Sequence, residues 1–331
     1  MNRRQFFRLA ALSGAGRRAA WPQGHEWPDP EKQNPSSSRG RGIAEIARSI
    51  AVSRDIPFAE RSGRTLLLDV YAPRTPVQAP LPAILRFGVA AWRTQTKAFR
   101  FDLDHILAAP TPNLYAPILV PLGYVVISAE CRVASEARFP AQLHDCQRAL
   151  DWVRANASRF SIDVNRIGVM GASASGHLAS LLALTDRTGA LRENSSEAGS
   201  FPPLRAAYSF AGLYDFEYYV SHPGDRTLMP QIEDFLGGTF HDMPEPYRQA
   251  SPIQHLQSGG PAFLLMHGKQ DRRVPFDQSP HFVRALKKAG VAVNFQAIDH
   301  YVHGPMPGAE PKPSIDDLDR EIFRFFQSHL S

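Results

Sequence analysis

Two serines lie two residues apart within a run of small residues, and either could act as a nucleophile. The run reads GASASG over residues 171–176. A sharp turn that lifts a serine hydroxyl clear of the backbone needs small residues two positions before and two positions after that serine. Around Ser173 these positions hold Gly171 and Ser175, both small. Around Ser175 one of them holds His177, which is too bulky. We therefore predict that Ser173 is the nucleophile and that Ser175 is a tolerated small flank.

An apolar run before these serines and a helical pattern after them place Ser173 at the carboxyl end of a strand. Residues 166–171 are strand-like and residues 174–185 are helix-like. Chemistry in an open α/β sheet collects at this edge, and a Gly-x-Ser-x-Gly turn there is a nucleophile elbow. The alternative is a phosphate-binding loop, but residues 171–176 lack the glycine and lysine pattern of such loops. His177 is too near in sequence to act as the base, and we expect it to pack structurally.

A serine hydroxyl is protonated at neutral pH, so it needs a base that is itself oriented by an acid. After an elbow of this kind, the chain order is the serine, then Asp or Glu, then His. Asp271 follows the strand-like run 262–268, and His303 lies in an irregular stretch after the run 293–299. We predict that these two residues complete a catalytic triad with Ser173.

Two competing residues stay open as alternatives. Asp215, in AGLYDF, also follows a strand-like run and competes with Asp271 for the role of acid. His300 competes with His303 as the base, but it directly follows its strand and has less freedom to point into a cleft. We therefore expect the acid at Asp271 and the base at His303.

The elements that must position these residues alternate along the chain. Nearly continuous apolar strands, each followed by a helical pattern, predict an α/β fold with a mostly parallel central sheet and helices on both faces. The predicted strands are 64–73, 81–88, 124–130, 166–171, 206–212, 262–268 and 293–299. The predicted helices are 139–160, 174–185, 279–290 and 314–330, the last with Ser314 as its N-cap.

One segment breaks this alternation. Residues 216–258 are rich in aromatic side chains and interrupted by Pro and Gly. We predict that they form a small lid-like insertion over the strand ends rather than a separate domain. Their aromatic side chains are expected to be core or lid residues more often than substrate contacts.

Charge and composition restrict the classes of partner. Residues 1–42 hold eight basic and three acidic side chains, which accounts for the whole formal net charge of +5. The rest of the chain is balanced and has no basic face for nucleic acid. No apolar run approaches the roughly 18 residues of a membrane span. Cys131 and Cys146 lack metal-ligand spacing, and we expect two buried free thiols rather than a disulfide.

The N-terminus resembles a twin-arginine export signal. The stretch MNRRQFFRLAALSGAGRRAAW has an arginine pair at residues 3–4 followed by a short, mildly apolar region. Residues 22–42, rich in Pro, Ser, Gly and Arg, have the composition of a linker. We expect an exported protein, periplasmic or extracellular, whose catalytic domain spans residues 43–331. The alternative is a basic tail on a cytoplasmic protein.

From about residue 53 onward, the sequence resembles the bacterial feruloyl-esterase-like (BD-FAE) branch of the α/β-hydrolases, near the hormone-sensitive-lipase-like esterases. This resemblance implies an α/β-hydrolase fold, and the triad positions of the family match Ser173, Asp271 and His303. The stretches that carry it are GYVVISAECRVASEARFPAQLHDCQRALDWVRANA (123–157), DVNRIGVMGASASGHLASLLAL (163–184), YRQASPIQHL (247–256) and FLLMHGKQDRRVPFDQS (263–279).

The main departure from the family concerns the site that binds the oxyanion. A His-Gly-Gly-x-Trp stretch, whose main-chain amides bind the oxyanion in the family, reads GVAAW over residues 88–92 here. Because the donors are main-chain N–H groups, they do not require glycine. The resemblance therefore implies an oxyanion hole formed by the N–H groups of Val89, Ala90 and Ala174.

Two smaller departures accompany it. Ser175 stands where glycine is usual in the elbow, and Cys131 precedes Arg132 where the family has tyrosine. We expect Arg132 to pair with a helix carboxylate such as Asp145, and Trp92 to be a packing residue.

The expected function is that of a serine hydrolase that cleaves carboxylic esters through an acyl-enzyme and needs no metal or organic cofactor. The resemblance suggests acetyl, feruloyl or other short acyl esters, free or attached to plant polysaccharide. An amide hydrolase with the same catalytic residues, either an aryl-formamidase or a prolyl-oligopeptidase-like enzyme, is one alternative. A catalytically weakened relative that only binds its ligand is another. The oligomeric state is left open.

Overall fold

The computed structural model of the protein describes residues 48–61, 63–95, 119–193 and 201–331. The strands are β1 (Ile50–Arg61), β2 (Arg64–Pro73), β3 (Leu81–Phe87), β4 (Val89–Ala90), β5 (Thr94–Gln95), β6 (Val125–Ala129), β7 (Ile162–Ala172), β8 (Ala206–Phe210), β9 (Ala262–Gly268) and β10 (Val293–Ile298). The helices are α1 (Ala141–Ala155), α2 (Ala174–Thr185), α3 (Phe216–Ser221), α4 (Met229–Leu236), α5 (Pro244–Ala250), α6 (Gln278–Lys288) and α7 (Ile315–Leu330). Short 3₁₀ helices cover Ala157–Phe160 and Pro252–His255.

The central sheet has eight strands in the order β1-β2-β6-β3-β7-β8-β9-β10. Strand β2 runs antiparallel to both of its neighbours, whereas β6, β3, β7, β8, β9 and β10 pair in parallel. The predicted, mostly parallel sheet is therefore confirmed. Parallel strands place their carboxyl ends at one edge, so the loops that follow β7, β9 and β10 emerge on the same side.

Strand β1 did not appear among the predicted strands. Most of its residues are exposed or half-buried, and its pairing with β2 contains two register shifts. An edge strand of this kind is held by main-chain pairing rather than by an apolar side-chain pattern. Hydrophobic periodicity therefore gives little signal for it.

Helices cover both faces of the sheet, as predicted. The larger apolar cluster contains buried residues of α1, α2 and α6, and the second cluster contains those of α7. The α7 helix begins after Ser314, whose hydroxyl accepts a hydrogen bond from the main-chain N–H of Asp317 at 3.2 Å. This confirms Ser314 as the N-cap.

The segment 216–258 folds into α3, α4, α5 and the second 3₁₀ helix, between β8 and β9. Phe216, Tyr219, Phe235 and Tyr247 are fully buried and belong to the larger apolar cluster, so these aromatic side chains are core residues. The leader and linker of residues 1–42 lie outside the described residues. Among the helices that the structure describes, none combines the length and apolar character needed to cross a bilayer.

Candidate active site

Ser173 occupies a strained turn between a strand and a helix. Strand β7 ends at Ala172 and α2 begins at Ala174, so Ser173 alone makes the turn, with φ 53° and ψ −123°. Its main-chain N–H donates to Phe210 O on the neighbouring strand at 2.8 Å. A Cβ atom at Gly171 would lie 2.3 Å from Ser175 O, so only glycine fits there. This is the geometry of a nucleophile elbow.

The structure brings the three predicted triad residues into one hydrogen-bonded chain. His303 Nε2 lies 2.9 Å from Ser173 Oγ, and His303 Nδ1 lies 2.6 Å from Asp271 Oδ2. Asp271 follows β9 and His303 follows β10. A Cβ atom at Gly268 would lie 2.2 Å from Tyr301 O, so this glycine allows the two loops to approach each other.

Asp271 is surrounded by donors. Its Oδ1 accepts from the main-chain N–H groups of Arg273 and Val274 at 3.0 Å each, and its Oδ2 accepts from His303. Burial by itself would raise the pKa of this carboxyl group, but the contacts with His267 and His303 outweigh it and hold the pKa well below its ordinary value. Because the carboxylate is ionised and only accepts, His303 Nδ1 carries the proton, which leaves the lone pair of Nε2 facing Ser173 Oγ.

His267 is a buried neighbour of Asp271 that the sequence analysis did not identify. Its Nε2 lies 3.0 Å from Val274 O and 3.3 Å from Asp271 Oδ2. Val274 O can only accept, so Nε2 carries the proton, and Nδ1 accepts from Ser279 Oγ at 2.7 Å. The sequence does contain a signal for this contact. In the stretch HGKQD, this histidine lies at the end of a strand and only four residues before Asp271.

The competing acid and base do not join the triad. Asp215 caps α3 by accepting from the N–H of Tyr218 at 2.9 Å, and its Oδ2 lies 3.0 Å from His281 Nε2. His300 is an exposed residue with a positive φ of 56°. His303, three residues further on, is the histidine that reaches Ser173.

The residues predicted for the oxyanion hole lie in a short hairpin and at a helix terminus. Val89 and Ala90 form β4, which pairs with β5, and Ala91 and Trp92 follow with positive φ values of 48° and 53°. Ala174 is the first residue of α2. Its N–H belongs to the first turn, where main-chain donors have no partner within the helix. The assignment of these three N–H groups to the oxyanion remains a prediction.

Side chains from the first turn of α2 contact this stretch. Ser175 Oγ lies 2.8 Å from both Phe87 O and Val89 O. Trp92 Nε1 donates to His177 Nδ1 at 3.1 Å, and His177 Nε2 lies 2.8 Å from Ala250 O. Burial lowers the pKa of His177 to about 4, so the ring is neutral at physiological pH.

The remaining expectations about packing agree with the structure. The Arg132 guanidinium binds the Asp145 carboxylate through two hydrogen bonds of 2.9 and 2.8 Å. Trp92 is buried, with its ring stacked on Phe235 at a centroid distance of 4.9 Å. Cys131 and Cys146 are buried free thiols.

Comparison with known proteins places this site in a family. The BD-FAE family model matches residues 68–286, which include Ser173 and Asp271. The chain belongs to the BD-FAE family. The sequence resemblance to this branch of the α/β-hydrolases is therefore confirmed.

Two relatives of this BD-FAE protein come from Mycobacterium tuberculosis. Esterase LipQ is 31% identical over 251 residues, which cover 74% of this chain and 55% of LipQ. Esterase LipC is 31% identical over 270 residues, which cover 79% of this chain and 60% of LipC. The chain thus matches little more than half the length of these relatives.

Solved structures of esterases share the fold. A truncated carbohydrate esterase from gut microbiota superposes with a TM-score of 0.65 at 23% identity, covering 84% of this chain and 95% of that one. Esterase B from Lactobacillus rhamnosis superposes with a TM-score of 0.67 at 17% identity, covering 88% of this chain and 93% of that one. The α/β-hydrolase fold predicted for the BD-FAE protein is confirmed.

Proposed function

We propose that this BD-FAE protein hydrolyses carboxylic esters through an acyl-enzyme on Ser173. One observation carries the proposal, namely the hydrogen-bonded chain from Ser173 Oγ through His303 to the buried Asp271, at 2.9 and 2.6 Å. A serine on a strained elbow with an imidazole at hydrogen-bond distance is arranged for nucleophilic attack. The names of the similar M. tuberculosis esterases support an ester rather than another substrate class.

The first half of the reaction forms the acyl-enzyme. Ser173 Oγ attacks the carbonyl carbon of the ester while His303 Nε2 takes the hydroxyl proton. Asp271 holds the imidazole in the correct tautomer and stabilises the imidazolium. The negative charge that develops on the carbonyl oxygen is accepted by the N–H groups of Val89, Ala90 and Ala174. The tetrahedral intermediate then collapses, and His303 gives its proton to the departing alcohol.

The second half releases the acid. A water molecule attacks the acyl carbon, and His303 Nε2 takes a proton from it. The second tetrahedral intermediate breaks its bond to Ser173 Oγ, which regains a proton from His303. No step of this cycle requires a metal ion or an organic cofactor.

The proposed substrates are acetyl, feruloyl or other short acyl and aryl esters, including esters on plant polysaccharide. Two structural relatives are described as a carbohydrate esterase and as an acetyl ester-xyloside bifunctional hydrolase, which supports acetylated carbohydrate as a substrate class. We further propose that residues 1–42 direct export, which would bring the enzyme into contact with such material. The support for export is the paired arginines near the N-terminus followed by an apolar stretch.

A substrate panel with a matched serine control tests this proposal. We would measure hydrolysis of acetyl, butyryl and feruloyl esters, an anilide and formyl-kynurenine, together with labelling by a fluorophosphonate probe. Ser173→Ala is expected to abolish both labelling and ester hydrolysis, whereas the control Ser180→Ala removes a buried hydroxyl elsewhere in α2 and is expected to keep both. Preference for the amide substrates would favour the amide-hydrolase alternative. Labelling that survives Ser173→Ala would contradict the assignment of the nucleophile.

A further inference from the structure

The hydroxyl of Ser175 contacts two main-chain carbonyl groups that are distant in sequence. Ser175 is 5% exposed, and its Oγ lies 2.8 Å from Phe87 O and 2.8 Å from Val89 O. These carbonyls belong to the end of β3 and to β4. The helix that follows the nucleophile is therefore hydrogen-bonded directly to the segment predicted to bind the oxyanion.

This contact fixes the directions of main-chain N–H groups. A trans peptide unit is planar, and its C=O and N–H bonds point in opposite directions. When Val89 O is held at Ser175 Oγ, the N–H of Ala90 in the same unit must point away from Ser175. The single hydroxyl proton of Ser175 is shared with Phe87 O, and the Gly88 N–H of that second peptide unit donates to Ala129 O at 3.1 Å. The peptide unit that joins Gly88 to Val89 lies between these two units and carries the Val89 N–H. Its orientation is therefore restricted on both sides.

The residues that follow show why such a contact matters. Ala91 and Trp92 both have positive φ values, a conformation that non-glycine residues adopt at a cost. Two hydrogen bonds hold the Trp92 end of residues 88–92. The indole N–H donates to His177 Nδ1, and the Trp92 carbonyl accepts from Ala134 N at 2.6 Å. Ser175 holds the opposite end of this stretch.

We propose that Ser175 is a positioning residue for ester hydrolysis, whose hydroxyl holds the N–H group of Val89 in the orientation that receives the oxyanion. The inference rests on the proposed function. Oxyanion donors are effective because they are oriented before charge develops, so loss of the contact raises the barrier of the chemical step. The contact joins two places where this chain departs from the family pattern. One is the serine at position 175, where glycine is usual, and the other is the GVAA stretch at residues 88–91. A glycine at position 175 has no hydroxyl to form the contact.

The test compares Ser175→Ala and Ser175→Gly with Ser180→Ala. Ser180 is a suitable control because it is a fully buried serine of α2 whose hydroxyl donates to Gly176 O at 2.8 Å. With an acetyl ester, we expect both Ser175 variants to lose roughly 10- to 100-fold in kcat, less than the 10²–10³-fold cost of removing an oxyanion donor, while KM changes by less than about threefold. Ser180→Ala is expected to keep the wild-type kcat. If the alanine side chain of Ser175→Ala disturbs folding, Ser175→Gly still removes the hydroxyl without adding a methyl group.

A second measurement separates positioning from general destabilisation. A trifluoromethyl ketone forms a hemiketal oxyanion on the nucleophile, so its inhibition constant should rise in the Ser175 variants by about the same factor as kcat/KM falls. A wild-type kcat in both Ser175 variants would overturn the inference, and so would an equal loss in Ser180→Ala or an unchanged affinity for the ketone. Ser173→Ala, measured in parallel, tests the proposed function separately, because its inactivity would stand even if the Ser175 variants were fully active.

Discussion

Asp215 Oδ2 lies 3.0 Å from His281 Nε2, so another strand-end aspartate besides Asp271 has a histidine partner. The two aspartates both follow strands of the sheet, but only the pair that includes His303 reaches Ser173. Asp215 instead caps α3. The two pairs therefore allow a direct comparison between a carboxylate that is proposed to be catalytic and one that caps a helix.

Asp271→Asn is expected to lower kcat about 10⁴-fold, because the imidazole loses the carboxylate that fixes its tautomer. Asp215→Asn is expected to stay within about tenfold of the wild-type kcat, because asparagine also caps helices well and only the carboxylate contact with His281 is lost. Both variants would be assayed for ester hydrolysis and for melting temperature. If the large loss of kcat occurred in Asp215→Asn instead, the acid of the triad would be misassigned.

His267→Gln should reduce kcat about tenfold, because the His267 Nε2 proton is shared between Val274 O and the Asp271 carboxylate and its loss lets that carboxylate move. The substitution also removes one of the contacts that lower the pKa of Asp271. His255→Gln is the matched control, since His255 Nε2 lies 2.8 Å from Gln249 O, away from the triad. Steady-state kinetics would test this, and equal effects of the two substitutions would show that His267 only stabilises the fold.

His177 predicts an acid-dependent loss of stability. Burial lowers its pKa from 6.5 to about 4 in the folded protein, so the unfolded chain binds the proton more tightly. Its contribution to stability is complete above pH 6.5 and is lost as the pH falls towards 4, by about 3 kcal/mol in total. Protonation would also put an N–H on Nδ1 against the indole N–H of Trp92. Urea unfolding from pH 7 to pH 4 should show a steeper decline in the wild type than in His177→Gln, and parallel curves would exclude this role.

Deletion of residues 1–42 should leave the melting temperature and the ester hydrolysis of the protein nearly unchanged. The deleted stretch precedes β1 and the family match and holds the whole excess of five positive charges, so the isoelectric point should move towards neutrality. Calorimetry and an ester assay on both chains would check this. A folding defect in the shorter chain would show that the N-terminal residues dock on the domain.

The sharp turn at Ser173 and the parallel sheet could be predicted from the sequence because both depend on the local pattern of residue types. Small residues around Ser173 are required by the turn itself, and apolar strands alternating with helices require a covered parallel sheet. The sequence left two candidates for the acid and two for the base, because the ends of apolar strands can be recognised in it and few Asp or His residues follow them. Their side-chain contacts could not be derived, since they depend on how loops after different strands pack.

Only the tertiary structure decided which histidine reaches Ser173 and which partner Asp215 takes. His300 and His303 are three residues apart. The turn that begins at His300, with its positive φ, directs His303 towards Ser173, and the spacing alone does not indicate this. The carbonyl contacts of Ser175 span 86 and 88 residues, so nothing in GASASG indicates them. Local spacing determines backbone turns and side-chain periodicity, whereas a hydroxyl or imidazole finds its partner only when distant strands are brought together by burial of the core.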